Sequence, residues 1–253
     1  MWGLGGKHVI ITGAGGGIGR SLVKAFIGAG AAVTACDRDP ALLEPLADVE
    51  KLAFELTDAE ATARAVSLAV ERRGAPAAII GNAGFTRAET MAQVDAAAWN
   101  TELAINLTGS FNLVNPLLPH LAAAGGGAIV FIASVNGLGH FGNPAYSAAK
   151  AGLLAYTRAL AVENGRQGIR ANAICPGSVR TPAWDHRLEA APTLLDEVNK
   201  HYPLGRIVTP EEVANAALFL ASPLSSGITG AELPVDAGLT AGNLRFVRDI
   251  IGG

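Results

Sequence analysis

Short β-branched runs alternate with longer helical ones along almost the whole chain, and this alternation restricts the possible folds more than any other property of the sequence. His8 to Ile11 reads as a strand, Ile18 to Ala29 as a helix, and Ala32 to Cys36 as a second strand, since apolar residues run on continuously in the first and third and recur at helical spacing in the second. That is a βαβ unit, whose right-handed crossover makes its two strands parallel. Further strands are expected near Leu52 to Phe54, Ala77 to Ile80, Ala128 to Ala133, Ile169 to Ile174 and Leu233 to Val235, with helices between them. The helix Glu211 to Ala221 starts behind Thr209 and Pro210, a capping residue and a residue with helical φ built in. Seven strands result, and a composition that is 50% apolar and 16% charged suits a parallel sheet buried on both faces.

The same composition excludes several classes of function. A net charge of −3 with no run of Lys or Arg leaves no basic surface for nucleic acid or anionic lipid. Cys36 and Cys175 each end an apolar, strand-like run, so both read as small core residues, and neither a disulfide framework nor a metal site is expected. Apolar stretches are interrupted before the roughly 18 residues that a membrane span needs, so a soluble, cytoplasmic protein is expected. Gly125 to Gly127 reads as a turn before a strand. The stretch 182–203 departs from the alternation: it holds Trp184, His186, Arg187 and Tyr202 and follows a strand end, where open α/β sheets bind ligands. It is expected to cover a substrate, with a surface helical hairpin as the alternative.

Gly13, Gly15, Gly16, Gly17 and Gly19 lie between the first strand and the first helix. A phosphate-binding turn needs residues there that tolerate positive φ and let backbone approach a ligand closely. The free amides and positive end of the following helix then face a pyrophosphate. Asp37 ends the second strand, where a carboxylate accepts hydrogen bonds from an adenosine ribose and repels a 2′-phosphate. Arg38 is the opposing signal, but no basic residue lies within Gly13 to Gly19, so NAD is favoured over NADP.

Tyr146 and Lys150 open a helix behind Pro144 and are four residues apart, so their side chains share one face. A tyrosine working as general acid and base near pH 7 needs its pKa of about 10 lowered by roughly 3 units. A neighbouring ammonium and an oxidised nicotinamide both act in that direction.

With these residues in view the chain resembles the short-chain dehydrogenase/reductase family, in its subgroup of about 250 residues. The family's Thr-Gly-x-x-x-Gly-Ile-Gly loop appears as Thr12 to Gly19, its Asn-Ala-Gly as Asn82, Ala83 and Gly84, its Tyr-x-x-x-Lys as Tyr146 and Lys150, and its Pro-Gly run ending in Thr as Pro176, Gly177 and Thr181. Asn106 and Ser134 match its other two catalytic positions. The resemblance implies a Rossmann-type, doubly wound seven-stranded parallel sheet, order 3-2-1-4-5-6-7, with helices on both faces in a single domain over 1–253. It implies that Tyr146 exchanges a proton with the substrate oxygen, that Ser134 hydrogen-bonds that oxygen, that Lys150 binds the nicotinamide ribose, and that Asn106 holds a water linking Lys150 to solvent. Gly13, Gly17, Ile18, Gly19 and Asp37 would hold the adenosine diphosphate part of NAD, with Asn82, Ala83 and Gly84 supporting it. Pro176, Gly177, the backbone near Val179 and Thr181 would hold the carboxamide. Related chains assemble as homotetramers and commonly pack such C-terminal tails across subunits, which agrees with apolar Phe246, Val247, Ile250 and Ile251.

Two positions depart from the family pattern. Glu55 stands where the family usually has an Asp contacting adenine, and Asp236-Ala237-Gly238 replaces the usual Asp-Gly-Gly. Candidate substrate contacts are Ser134, Asn136, His140, Phe141 and Tyr146, with Trp184 and His186 from the covering segment. Their mixture of polar and aromatic groups suits a polyol, a sugar or a similar hydroxylated secondary alcohol. A 3-oxoacyl-thioester reductase is the alternative, weakened because the turns that would meet a carrier protein hold only Arg166 and the uncharged Gly125 to Gly127. A non-catalytic dinucleotide sensor is the remote reading, since it has no reason to keep Ser134, Tyr146 and Lys150 together.

Overall fold

The structure is a computed structural model that describes residues 2–86 and 90–252. Its seven strands are β1 (His8–Thr12), β2 (Ala32–Asp37), β3 (Glu50–Ala53), β4 (Ala78–Gly81), β5 (Gly127–Ile132), β6 (Ile169–Pro176) and β7 (Glu232–Val235). They form one sheet in the order β3-β2-β1-β4-β5-β6-β7, with every neighbouring pair parallel. The expected order and helix-covered architecture are both present.

Strand residues alternate between the two faces, which accounts for two separate cores. On one face Val9, Ile11, Val33, Ile80 and Val130 pack against Leu22 and Phe26 of helix Gly17–Gly28 and Val213 and Ala217 of helix Pro210–Ala221. On the other, Ile10, Ile79, Ile129 and Phe131 pack against Val66 of helix Ala59–Arg73, Leu113 of Gly109–Val114 and Leu153 of Pro144–Asn164. Cys36 and Cys175 are buried and unbridged, as their apolar settings suggested. No helix among the described residues is long and apolar enough to cross a membrane.

Local chemistry sets the element ends. Asp58 caps helix Ala59–Arg73 by accepting from the Ala61 amide, and Thr209 with Glu212 forms a capping box on Pro210–Ala221, each satisfying amides that a helix start leaves without partners. β3 begins at Glu50, two residues before the expected run. This carboxylate enters the strand because Thr34 at 3.2 Å and Arg72 and Arg73 at 2.8 Å all donate to it. A cost that hydropathy alone would assign to Glu50 is thereby offset.

The segment 182–203 forms two short helices, Ala183–Ala190 and Leu194–Asn199. Trp184, Tyr202 and Ile207 make a small buried cluster beneath them. The helical hairpin is therefore present, and its inner side faces the site.

Candidate active site

Five of the expected site elements stand at or just beyond the C-terminal end of a strand: Gly13 after β1, Asp37 in β2, Asn82 after β4, Ser134 after β5 and Gly177 after β6. Parallel strands and right-handed crossovers place these ends along one edge, where such sheets bind ligands.

On one side is a cleft lined by Gly13, Gly16, Gly17, Ile18, Gly19, Asp37, Arg38, Glu55, Asn82, Ala83, Gly84 and Thr181. Gly13 has φ of +61°, and a Cβ there would lie 2.9 Å from Ala83 Cα. At Gly19 a Cβ would lie 2.0 Å from the Gly13 carbonyl oxygen. These positions need glycine for the loop to sit tightly on β4 and on its own helix. Gly16, by contrast, would meet nothing closer than 3.4 Å. The helix Gly17–Gly28 receives no side-chain cap, so its first amides are directed into the cleft without a capping partner, an arrangement suited to a pyrophosphate. Asp37 Oδ2 accepts from the Gly15 amide at 3.0 Å, and Oδ1 accepts from the amides of Arg38 at 2.8 Å and Asp39 at 3.4 Å, which fixes the carboxylate beside the loop with an acceptor position left on Oδ2. A nucleoside diphosphate fits this chemistry.

Asn82 buttresses the cleft: its Nδ2 donates to the carbonyls of Thr12 and Gly13, each at 3.0 Å. Thr181 reaches across from the β6 side, since a Cβ at Gly17 would meet its side chain at 2.7 Å. Val179 bridges Val208, and the Thr181 amide donates to Val179 at 2.9 Å. Glu55 lines the cleft, with Oε1 accepting from the Thr57 amide at 3.3 Å.

On the other side, Tyr146 and Lys150 stand one turn apart on helix Pro144–Asn164, with Lys150 Nζ 5.4 Å from the tyrosine ring centroid. Lys150 is buried and donates to the Ile132 carbonyl at 2.9 Å. Burial lowers its pKa from 10.5 to about 8. Burial also pushes the Tyr146 phenol up to about 12, with a side-chain hydrogen bond to Ser134 opposing the shift and the Glu102 charge adding to it. The shift is opposite to the lowering expected from Lys150, because desolvation is its largest cause. At neutral pH this tyrosine holds its proton.

Lys150 also makes a stability prediction. Below pH 8 its ammonium is buried at a cost relative to the unfolded chain. Between about 8 and 10.5 the unfolded chain binds more protons, so stability rises with pH across that window. Lys150→Met should therefore raise the Tm of the cofactor-free protein at pH 7 by about 5–10 °C, corresponding to about 3 kcal/mol, and the gain should shrink as pH rises from 8 to 10.5. A variant that melts below wild type at pH 7 would contradict this burial cost.

Asn106 lies in a π-helical turn, Ala104–Thr108, that interrupts a longer helical stretch, a feature common at functional sites. Both of its amide hydrogens are engaged, donating to the Phe85 carbonyl at 2.7 Å and the Glu102 carbonyl at 2.9 Å, while Oδ1 accepts from the Phe85 amide at 3.0 Å and keeps a second lone pair. A Cβ at Gly84 would lie 3.0 Å from Asn106 Oδ1 and 3.5 Å from Lys150 Nζ, so glycine keeps a gap between the two. Sequence reasoning passed over Glu102, a buried carboxylate that accepts from Thr86 Oγ1 at 2.9 Å. Its one cue was the four-residue spacing from Asn106.

A second cleft is lined by Ser134, Asn136, Phe141, Gly177, Ser178, Trp184, Val198, His201 and Tyr202 among others. Asn136 reaches it, but both amide hydrogens are committed, to Gly142 O at 2.8 Å and Ser147 Oγ at 3.0 Å. Its backbone amide donates to Ser134 Oγ at 3.1 Å, so it orients Ser134 and offers no donor to a ligand. His140 is exposed and lines neither cleft. Trp184 is buried against the second cleft. The side chain of His186 lies outside the described ones. His201 and Tyr202, which line the cleft, were not among the expected contacts.

A family model described as enoyl-(acyl carrier protein) reductase matches residues 13–240. An uncharacterized oxidoreductase of Schizosaccharomyces pombe is 41% identical over 97% of this chain and 95% of its own length. The 3-oxoacyl-[acyl-carrier-protein] reductase FabG of Thermotoga maritima is 35% identical, covering 92% and 98% of the two chains, and the L-fucose dehydrogenase of Bos taurus is 35% identical, covering 94% and 90%. The crystal structure of a short-chain dehydrogenase/reductase family oxidoreductase from Burkholderia thailandensis superposes with a TM-score of 0.92 at 43% identity, covering 97% of each chain. Fold and relatives together define an oxidoreductase of the Rossmann-like α/β class. The chain belongs to the short-chain dehydrogenase/reductase family, whose members use NAD or NADP.

Proposed function

We propose that this chain is an NAD(H)-dependent oxidoreductase that interconverts a secondary alcohol, of polyol, sugar or similar hydroxylated type, and its ketone. The observation that carries the reaction type is the cluster of Tyr146 and Lys150 on one helix face with Ser134 at the tyrosine. Bound NAD would supply the hydride chemistry, and the chain's own residues supply orientation and the proton. Tyr146 gives its proton to the substrate oxygen during reduction and takes it back during oxidation. Ser134, oriented by Asn136, hydrogen-bonds the same oxygen. Lys150 holds the ribose hydroxyls, and the gap beside Gly84 admits a water between its ammonium and Asn106. Gly13, Gly17, Ile18 and Gly19 receive the pyrophosphate, Asp37 the adenosine ribose, and Pro176, Gly177, Val179 and Thr181 the carboxamide, with Asn82, Ala83 and Gly84 as the floor. The whole of 1–253 acts as one dinucleotide-binding and catalytic domain, with 182–203 covering the substrate.

Asp37 in the cleft favours NAD, and the similarity to an L-fucose dehydrogenase supports a hydroxylated substrate. The similarity to a 3-oxoacyl-thioester reductase makes that activity the second arm of the test. Initial rates of NAD⁺ reduction should be measured over polyols, sugars, simple secondary alcohols and 3-hydroxyacyl esters. Turnover of a polyol or sugar above that of every ester is the expected result; ester turnover alone would overturn the substrate class.

Assembly follows from the tail. Phe246, Val247, Ile250 and Ile251 are between 49% and 68% exposed in the single chain, more apolar surface than one short segment leaves in water. Light scattering at micromolar concentration should give a homotetramer. A fully active monomer would show that the tail has another role.

A further inference from the structure

Tyr202 is 97% removed from solvent, and its ring lies over the backbone after β6: a Cβ added at Gly177 would meet ring carbon Cε1 at 3.1 Å and the phenolic oxygen at 3.2 Å. That oxygen accepts from the Ser178 amide at 2.8 Å. The amide fixes where the hydroxyl sits and occupies an acceptor position. A phenol has one proton to donate, and among the described residues the O–H of Tyr202 donates to none. Tyr202 also lines the cleft that holds Ser134.

A buried donor with no acceptor is costly. We infer that Tyr202 is a specificity-determining residue whose O–H donates to a second oxygen of the substrate, one that takes no part in the reaction. This rests on the alcohol–ketone reading above and narrows it, because a simple secondary alcohol has no such oxygen whereas a diol, polyol or sugar does. The ring is held by Trp184 and Ile207 and the oxygen by Ser178, so the donor is fixed before the substrate arrives. Preorganisation of this kind favours discrimination: an analogue without the second oxygen leaves the hydroxyl unsatisfied once water is displaced.

The test compares butane-2,3-diol with butan-2-ol, which share a carbon chain and differ by one hydroxyl, in wild type and in Tyr202→Phe. Phenylalanine keeps the ring and its packing. Wild type should show the higher kcat/KM with the diol, and the diol-to-monoalcohol ratio should fall about three- to tenfold in the variant, the worth of one neutral hydrogen bond. A ratio that stays within about twofold, even if both rates fall together, would mean that Tyr202 only supports the Ser178 backbone, and the inference would be overturned. Wild-type preference for butan-2-ol would overturn it without any variant. If wild type oxidises neither alcohol with NAD⁺ or NADP⁺, it is the alcohol–ketone reading itself that fails.

Discussion

Tyr146→Phe is expected to lower kcat by about 10²–10⁴-fold, the range typical of a positioned general acid or base, while leaving NADH affinity nearly intact. The substitution removes one oxygen and its proton from a side chain held by the helix beginning at Pro144, and the cleft that fits the adenosine part lies on other strands. Because burial holds the phenol near pKa 12, the protonated form needed to reduce a ketone is present across the neutral range and is lost only in strong alkali. Oxidation requires the opposite form. Bound NAD⁺ and a protonated Lys150 both favour phenolate, so the oxidation rate should rise with pH where the reduction rate is flat. Lys150→Ala should impair both turnover and cofactor binding. A Phe variant with more than about a tenth of wild-type kcat would show that Tyr146 is not the proton donor, given the usual size of that contribution.

Asp37→Ser is expected to move cofactor preference toward NADP by roughly ten- to several-hundredfold in the ratio of kcat/KM values. Two effects combine, a lost charged hydrogen bond and a relieved like-charge contact, each about 1–2 kcal/mol. The 2′-phosphate carries a charge of roughly −1.5 to −2 at neutral pH, and Arg38, on the same rim of the cleft, is then free to approach it as a charge-assisted donor. The carboxylate also anchors the Gly15 amide, so part of the loss with NAD comes through a looser glycine loop, and serine restores some of that anchoring. The measurement is kcat/KM for both cofactors at fixed ionic strength. An unchanged ratio, or a wild type that already prefers NADP, would remove Asp37 from the ribose.

The strands were legible because each is a nearly continuous apolar run in a sheet buried on both faces, and the strand order follows once the crossovers are right-handed and the family pattern is in view. Glu50 was not legible as a strand residue, since what admits it is a pair of arginines from helix Ala59–Arg73, 22 and 23 residues away. The π-turn at Asn106 leaves no readable mark in periodicity, because the flanking helices Ala96–Leu103 and Gly109–Val114 are too short to display the change of phase that an extra residue brings. Motifs located most residues of the first cleft and Ser134 in the second, but not their hydrogen-bond duties. Asn136, expected as a substrate contact, lines the second cleft and also hydrogen-bonds to Ser134 and Ser147. His140, two residues before a positive-φ Gly142, points into neither cleft. Tyr202 is marked in the sequence only as part of the covering segment and not as a contact, because its position is set by Ser178, 24 residues earlier, and no local pattern joins them.

The most direct test of hydride transfer between a nicotinamide cofactor and an alcohol carbon is isotopic. Butane-2,3-diol deuterated at its carbinol carbons is incubated with NAD⁺ and wild-type protein, and the reduced cofactor is analysed by mass spectrometry. One deuterium, transferred as deuteride, should appear in each reduced cofactor formed, and Tyr146→Phe should slow its appearance in proportion to its loss of kcat. Reduced cofactor without deuterium, or product formed with none reduced, would contradict the proposed reaction.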